Sequence, residues 1–395
     1  MTLIEQPYRH WLGEHQGIWA RRRVIAQTTL EAWLAAPWIK RTVFGCWTAC
    51  LGMVALLFIL SQFVDSKSAL AEWLGQENPS TLLLIGMLEG WLKQDPELVA
   101  GVPWALLFGF YSFALFWPTL LVLTMAIPRV ISRDLATRAI VIYQAKAVSK
   151  WDYLMGKAGA LLGLMALTWL GPLVVAWFAS NLMAPTWTFF WHTRGALGSL
   201  LVFVGFSIVF LTILALGLSS VSAKEKAVTT TWLCVWLLGW GLEGLGSVDS
   251  HNEGAGWLRH LSFRYNLSQV QRRAFDPTEK LQRLREFKSP DGTRPLSEGL
   301  MPFTRIQDLE GYEIERHVRR RLRSPREAMP HDHGDEPGEA AAAQQRRERE
   351  EQALQNQVRA EVSRLRASRW NGALTGLVMM AGVSALIVWV RFRKS

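Results

Sequence analysis

The stretch PRVISRDLATRAIVIYQAKAVSKWDYLMGK, residues 128–157, separates two long apolar runs, 104–127 and 158–179. Each run is long enough to cross a bilayer as a helix, so the stretch between them is a loop that joins two membrane spans. The loop carries six Lys or Arg residues against two Asp residues. An excess of positive charge is typical of cytoplasmic loops. The sequence therefore predicts an integral membrane protein with this loop on the cytoplasmic side.

Apolar residues recur at helical spacing inside this loop, and polar residues fall on the other faces. The apolar positions are Leu135, Ala139, Ile142, Tyr143 and Ala147. A short amphipathic helix in such a loop can dock on a soluble partner protein. It can equally lie on the surface of an anionic bilayer. The periodicity alone leaves both interpretations open.

The loop also resembles the first cytoplasmic loop of permease subunits of type-2 ATP-binding-cassette (ABC) exporters, the group of copper-enzyme-maturation, gliding-motility and multidrug permeases. That loop reads roughly I-x-x-D, then Gly or Thr, then P/V-S-R-x-x-Y-x-x-G-K. The matching positions here are Ile131, Asp134, Val148, Ser149, Lys150, Tyr153, Gly156 and Lys157. Two mild departures are Ala136-Thr137, where the family often has Gly, and Lys150, where it has Arg.

The resemblance implies that the loop holds a coupling helix, which docks on a separate ATP-hydrolysing subunit. It favours docking over a helix that only lies on lipid. The residues expected to form the docking surface are Arg133, Asp134, Arg138, Tyr143 and Lys150. The resemblance also implies that two permeases, identical or homologous, pair in the membrane above two ATPase subunits.

Four further apolar runs complete a predicted all-α fold of six transmembrane helices. They cover residues 42–64, 195–218, 228–246 and 371–390. Residues 1–41 form a basic N-terminal segment, in which 25–38 are amphipathic and predict an interfacial elbow helix of the kind that type-2 permeases have. The alternative is an ordinary cytosolic helix. Basic residues at 391–394 close the last span, which with its tail covers 370–395 and leaves both termini in the cytoplasm of a multi-pass inner-membrane protein.

Small residues spaced four apart occur in two of the spans. Gly159 and Gly163 lie in the third span, and Gly372 and Gly376 form a GxxxG pair at the start of the last. Such pairs allow two helices to approach closely, so both predict helix packing. Glu243 is the one acidic residue within a span, where it can line a polar pathway or reach the interface.

Residues 247–369 form a long polar insertion between the fifth and sixth spans, and counting spans places it outside the cytoplasm. Its first part resembles the outer segment that precedes the last span in these permeases, with matches at Ser262, Asn266 and Asp276. The remainder has no counterpart there. It is expected to contain a disordered linker at 324–340 and a charged helix at 341–369 that continues into the last span.

The charged helix carries an apolar stripe of Leu354, Val358, Val362 and Leu365. The stripe fits a short coiled coil with a second copy, and a solvated helix equally well. His331 and His333 flank Asp332, but no further ligands are fixed nearby, so no metal site is predicted. Cys46, Cys50 and Cys234 lie inside apolar runs and form no metal-binding pair.

Motifs of hydrolytic chemistry do not occur anywhere in the 395 residues. There is no GxxxxGK[ST] phosphate loop, no GxSxG elbow and no HExxH. We therefore predict no catalytic residues and no cofactor. We also predict no nucleic-acid partner, because the net charge of +10 lies largely beside the spans. The leading hypothesis is a permease driven by a separate ATPase. The alternatives are a non-transporting membrane anchor whose insertion recruits a partner, and an ion-coupled carrier, which the scarcity of charged residues in the spans disfavours.

Overall fold

A computed structural model describes the chain in six main ranges, and within them all regular structure is helical. The ranges are 17–64, 95–138, 149–184, 187–248, 256–276 and 337–394, with single positions between 280 and 322. Outside the described residues lie 65–94, 324–336 of the linker, and 139–148, the middle of the loop 128–157 that contains Tyr143. We call the loop 128–157 the docking loop, after the role that is predicted for it. The all-helical fold agrees with the fold class predicted from sequence.

We number the described α-helices in chain order. A π-helical turn, Ala166–Leu170, joins the fifth and sixth, and a 3₁₀ turn, Gly256–Leu261, precedes the ninth. The α-helices are α1 Ile18–Leu34, α2 Pro37–Val64, α3 Pro96–Val130, α4 Ser132–Ala136, α5 Lys150–Met165, α6 Gly171–Leu182, α7 Thr188–Val221, α8 Glu225–Val248, α9 Phe263–Phe275 and α10 Pro337–Lys394.

Five helical segments of the described chain are long and apolar enough to cross a membrane, which identifies a multi-pass membrane protein. They are Pro37–Phe58, Glu97–Ala136, Lys150–Leu182, Phe189–Val221 and Gln352–Arg393. The fifth predicted span forms helix α8 but is not among the five. Its three Trp residues at four-residue spacing, its Thr residues and Glu243 make it less apolar than the others. The six-span count, the inner membrane and the sides of the termini remain predictions.

The core is built mainly from α2, α3, α5, α6 and α7, with further buried residues from α8, α9 and α10 and large aromatic side chains at its centre. Trp169 is fully buried between Phe116 and Phe203, and its indole N–H donates to the carbonyl of Ser112 at 3.0 Å. Inside a bilayer, packing and hydrogen bonds must hold helices together, because lipid tails are as apolar as the side chains. A buried indole with its N–H satisfied contributes both.

A π-helical turn lies directly before Pro172. Proline has no N–H and clashes with the preceding turn, which disfavours regular α-helical geometry there, although α3 continues as an α-helix through Pro103, Pro118 and Pro128. The chain widens here, and the Gly171 N–H bonds to the Ala166 carbonyl, five residues back. The indole N–H of Trp47 in α2 donates to the Leu167 carbonyl at 3.0 Å. The structure thus places a π-turn, held by an indole from another helix, immediately before Pro172.

The 3₁₀ turn and α9 form a hairpin that dips between α3, α7, α8 and α10. Gly239 faces Ser262, Gly109 accepts from Gln271 at 2.7 Å, and Gly376 faces Asn266. At about 1.5 Å per residue these glycines lie roughly 20 to 30 Å from the ends of their helices nearest the docking loop. Non-helical backbone at such depth is tolerated where protein surrounds it. Asn266 supplies one partner, since its amide donates to the His260 carbonyl at 2.7 Å.

Helix α10 runs without a break for 58 residues, from the polar insertion through the last predicted span. Its apolar stripe packs within the chain, because Val358 is buried against Val318, with Leu322, Leu354, Val362 and Leu365 around them. The stripe is therefore packed against residues of the same chain. Neither hypothesis from the sequence, a coiled coil with a second copy or a solvated helix, included this packing.

Candidate functional site

The candidate site is the end of the bundle formed by residues 129–138, 149–157 and 391–394, which we call the loop end. Here α3 stops at Val130, and α4 starts two residues later. Ser219 of α7 secures the break, since its hydroxyl accepts from the Ile131 N–H at 2.9 Å and its carbonyl accepts from the Ser132 hydroxyl at 2.8 Å. The start of the docking loop is thereby fixed to the body of the protein.

Asp134, on α4, is bound by two side chains of α5. The Tyr153 hydroxyl donates to its carboxylate at 2.7 Å, and the Lys157 ammonium pairs with it at 2.9 Å. The pair is largely enclosed, because the Lys157 side chain is 8% exposed and the Asp134 side chain 16%. Asp134 was expected on the docking surface, but its carboxylate is engaged inside the protein.

Arg133 and Arg138 lie on the outside of the loop end, and both are exposed. Arg138 ends the α4 segment in the left-handed region, with φ of 55°. Few residues other than Gly adopt this conformation without strain. The turn follows directly on Ala136-Thr137, where the resembled family often has Gly. Both guanidinium groups therefore add positive charge to the exposed surface of the loop end.

The first turn of α5 is held by a capping serine and by contacts with α1 and α10. Ser149 caps the helix, accepting from the Asp152 N–H at 3.1 Å and donating to the Asp152 carboxylate at 2.7 Å. The same carboxylate pairs with Arg22 of α1 at 2.7 Å. The Lys150 ammonium donates to the carbonyl of Phe392, in the last turn of α10, at 2.8 Å. Helices α1, α4 and α10 all meet α5 here.

Glycines on one face of α5 allow α1 to lie close along it. A Cβ at Gly156 would stand 2.7 Å from the Ile25 Cβ, one at Gly159 3.3 Å from the Ala26 Cβ, and one at Gly163 3.5 Å from Leu30. The partners advance together along both chains, so the helices run parallel. The structure thus places Gly159 and Gly163 at a helix contact. The interfacial position of the elbow helix stays a prediction.

Gly372 and Gly376 of α10 face the hairpin rather than another span. A Cβ at Gly372 would stand 2.5 Å from the His260 ring, and one at Gly376 2.5 Å from the His260 carbonyl and 2.6 Å from the Asn266 amide. The close approach predicted for this pair therefore exists, with the hairpin as its partner. The GxxxG spacing predicted a close contact but did not identify the hairpin as the partner.

Glu243 is engaged in an ion pair with Arg264 of the hairpin. The guanidinium binds both carboxylate oxygens, at 2.7 and 3.0 Å, and lies over the Trp117 ring at 5.8 Å. Two-point pairing of this kind fixes geometry as well as charge. The pair connects α8 to α9, which gives Glu243 a structural partner and leaves no evidence here for a polar pathway.

The triad of Asp134, Tyr153 and Lys157 is the feature that sequence reasoning missed. A signal was present, because Tyr153 and Lys157 are four residues apart and share one face of a helix. Among the described residues no group of three or more His, Cys, Asp or Glu side chains could hold a metal ion.

The chain was compared with protein-family models, with curated proteins and with solved structures, and none of the three comparisons gives a match.

Proposed function

We propose that the protein is the membrane-spanning permease subunit of an ABC exporter, driven by separate ATPase subunits that dock at the loop end. The observation that carries this proposal is the attachment of the docking loop to α5 through Asp134, Tyr153 and Lys157. A loop that served only as a linker has no need of an enclosed ion pair at its start.

The loop end has the connections that a coupling element requires. A push on α4 reaches α5 through the Asp134 pair, and it reaches α1 through Arg22 and Asp152. It reaches α7 through Ser219. Helix α5 then leads into the π-turn, and such turns are frequent at functional sites. In the proposed cycle, ATP binding in the motor subunits biases the bundle toward a second arrangement that opens a path outward.

The proposal is tested by purifying the chain from its native membranes in mild detergent and identifying associated proteins by mass spectrometry. We expect an ATPase with a GxxxxGK[ST] phosphate loop to accompany the chain. We expect Arg133→Glu combined with Arg138→Glu to remove it, because both side chains are exposed and face outward. Asp134 should not be changed in this experiment, since its loss would disturb the contact with α5.

A matched control reverses two exposed arginines in α10, Arg359→Glu and Arg364→Glu, at the other end of the helix from the loop end. This variant should retain the ATPase. If no ATPase accompanies the unaltered chain under conditions that preserve other membrane complexes, the permease proposal is wrong. A non-transporting anchor, whose insertion recruits a partner protein, then becomes the better account.

A further inference from the structure

The polar part of α10, residues 337–369, lies on the membrane side opposite to the loop end. The apolar part of the helix follows it and ends at Phe392, beside Lys150. A helix that crosses the bilayer between these two parts must place them on opposite sides. We call residues 337–369 the arm. At about 1.5 Å per residue the arm is about 50 Å long.

We propose that α10 is a lever, which carries displacement of the loop end to the arm on the far side of the membrane. The first support is continuity, because no break or proline interrupts the helix after Pro337. The second is the cover on the arm, where Val318 and Leu322 pack on its apolar stripe. A lone helix in water is marginal, whereas a packed one resists bending.

The contacts of α10 with the bundle suit movement as a rigid body. In its most apolar stretch only 22% of the residues are buried, against 61% in α7. Ala373, Leu377 and Ser384 form the buried stripe, while Val378, Met379 and Val383 on the other faces are exposed. Leu377 and Phe392 belong to the hydrophobic core, so the contact of α10 with the bundle is confined to this one buried stripe and a shift of the helix must slide along it.

Three close contacts hold the lever. Between its middle and its end, Ser384 lies against Gly217 of α7, where a Cβ on the glycine would stand 2.6 Å from the Ser384 Cβ. Near its middle, Gly372 and Gly376 lie against His260 and Asn266 at close range. At its end, the Phe392 carbonyl accepts from Lys150. The end lies about 27 Å from the glycines, and Arg349 in the arm lies about 38 Å from them on the other side. For rotation about the glycines, in which Ser384 slides over Gly217, a displacement at Phe392 should appear about 1.4 times larger at Arg349.

The mechanical connection between the loop end and the arm can be tested without an ATPase. Only the energy that would move the lever in the cell rests on the proposed function. The test places nitroxide labels at Arg349→Cys and, as reference, at Val202→Cys of α7, both of which are exposed. Cys234→Ser removes the exposed native thiol, while Cys46 and Cys50 are buried. Distances are measured by pulsed electron resonance in lipid nanodiscs on the full-length chain.

The displacement is applied with Lys150→Glu, which sets a carboxylate against the Phe392 carbonyl and separates α10 from α5. We expect the Arg349 label to move relative to the reference by roughly 1.4 times the movement of a label at Arg391→Cys. Inserting Gly-Gly-Ser-Gly between Ala367 and Ser368 should abolish the movement of the arm and leave that of the Arg391 label. Lys226→Glu, an exposed charge reversal at the start of α8, should move neither.

A stationary Arg349 label, or a shift that persists with the flexible insertion, overturns the lever. If Lys150→Glu does not yield a monodisperse protein, Lys150→Met applies the milder change with the same expected direction. Trapping nucleotide on the complex with its ATPase gives a separate result. An arm that moves with Lys150→Glu but shows no response to nucleotide would contradict the proposed function and leave the lever intact.

Discussion

Asp134 shows how a single residue can join a loop to a span. Its carboxylate receives one hydrogen bond from a hydroxyl and one ion pair from an ammonium, both from α5. Removing one member of a mostly buried pair costs about 3 to 5 kcal/mol, because the remaining charge is left without compensation. Removing both charges costs much less. The energy of this joint is therefore measurable as a coupling between Asp134 and Lys157.

Lys157→Met is expected to lower the free energy of unfolding by about 3 kcal/mol, since it strands the Asp134 carboxylate. Adding Asp134→Asn to the same chain should recover most of the loss. The measurement is thermal or denaturant unfolding in detergent for the four chains of this double-mutant cycle. A loss in the double variant equal to the sum of the two single losses would show that the two residues are not coupled.

At the scale of elements, contacts between helices depend on how closely two backbones can approach. The α1–α5 contact is the clearest case, because its three glycines meet α1 at increasing distances along the helix. Gly156→Ala should destabilise the protein most, since its Cβ would stand 2.7 Å from the Ile25 Cβ and 3.2 Å from the Arg22 carbonyl. Gly163→Ala should be tolerated, as its nearest contact of 3.5 Å is ordinary packing.

Gly159→Ala should destabilise the protein less than Gly156→Ala and more than Gly163→Ala. The series is read as melting temperature in detergent, and Ile25→Gly should partly restore Gly156→Ala because it removes the clashing Cβ. A flat series, in which all three alanines behave alike, would contradict the parallel packing of α1 on α5.

The π-turn makes a second prediction for an element. Trp47→Phe should cost about 1 kcal/mol, the usual net value of one hydrogen bond, because the Leu167 carbonyl loses its indole donor. In a Pro172→Ala background the cost should shrink, since residue 172 then has an N–H to offer the freed carbonyls. Unfolding of the four combinations gives the coupling directly. An unchanged cost for Trp47→Phe would separate the indole contact from the proline.

Local sequence patterns predicted part of the helical structure. Apolar length located α2, α3, α5, α7 and the end of α10, and residue spacing located the close glycine contacts. The π-turn and the hairpin could not be foreseen, because each depends on partners distant in the chain. Trp47 meets Leu167 across 120 residues, and Gln271 meets Gly109 across 162. The contacts of Asp134 could not be foreseen for the same reason, since its partners lie on another helix.

At the scale of the whole molecule, the insertion is where sequence patterns were least informative about contacts. The charged helix was expected, but the packing of its stripe on Val318 depends on a segment some 40 residues earlier.

The arm and the loop end should face opposite compartments. A membrane-impermeant maleimide should label Arg359→Cys only in right-side-out vesicles and Arg138→Cys only in inside-out vesicles, in the Cys234→Ser background. Labelling of both from one side would overturn the predicted topology.

The central claim is that an ATPase docks at the loop end, and photo-crosslinking in intact cells tests it most directly. A benzophenone amino acid replaces Arg133 in one chain and Arg359 in a matched control, and the adducts are identified by mass spectrometry. We predict that position 133 captures a protein with a GxxxxGK[ST] phosphate loop and that position 359 does not. Efficient crosslinking at position 133 to lipid alone, with no ATPase adduct, would contradict the account.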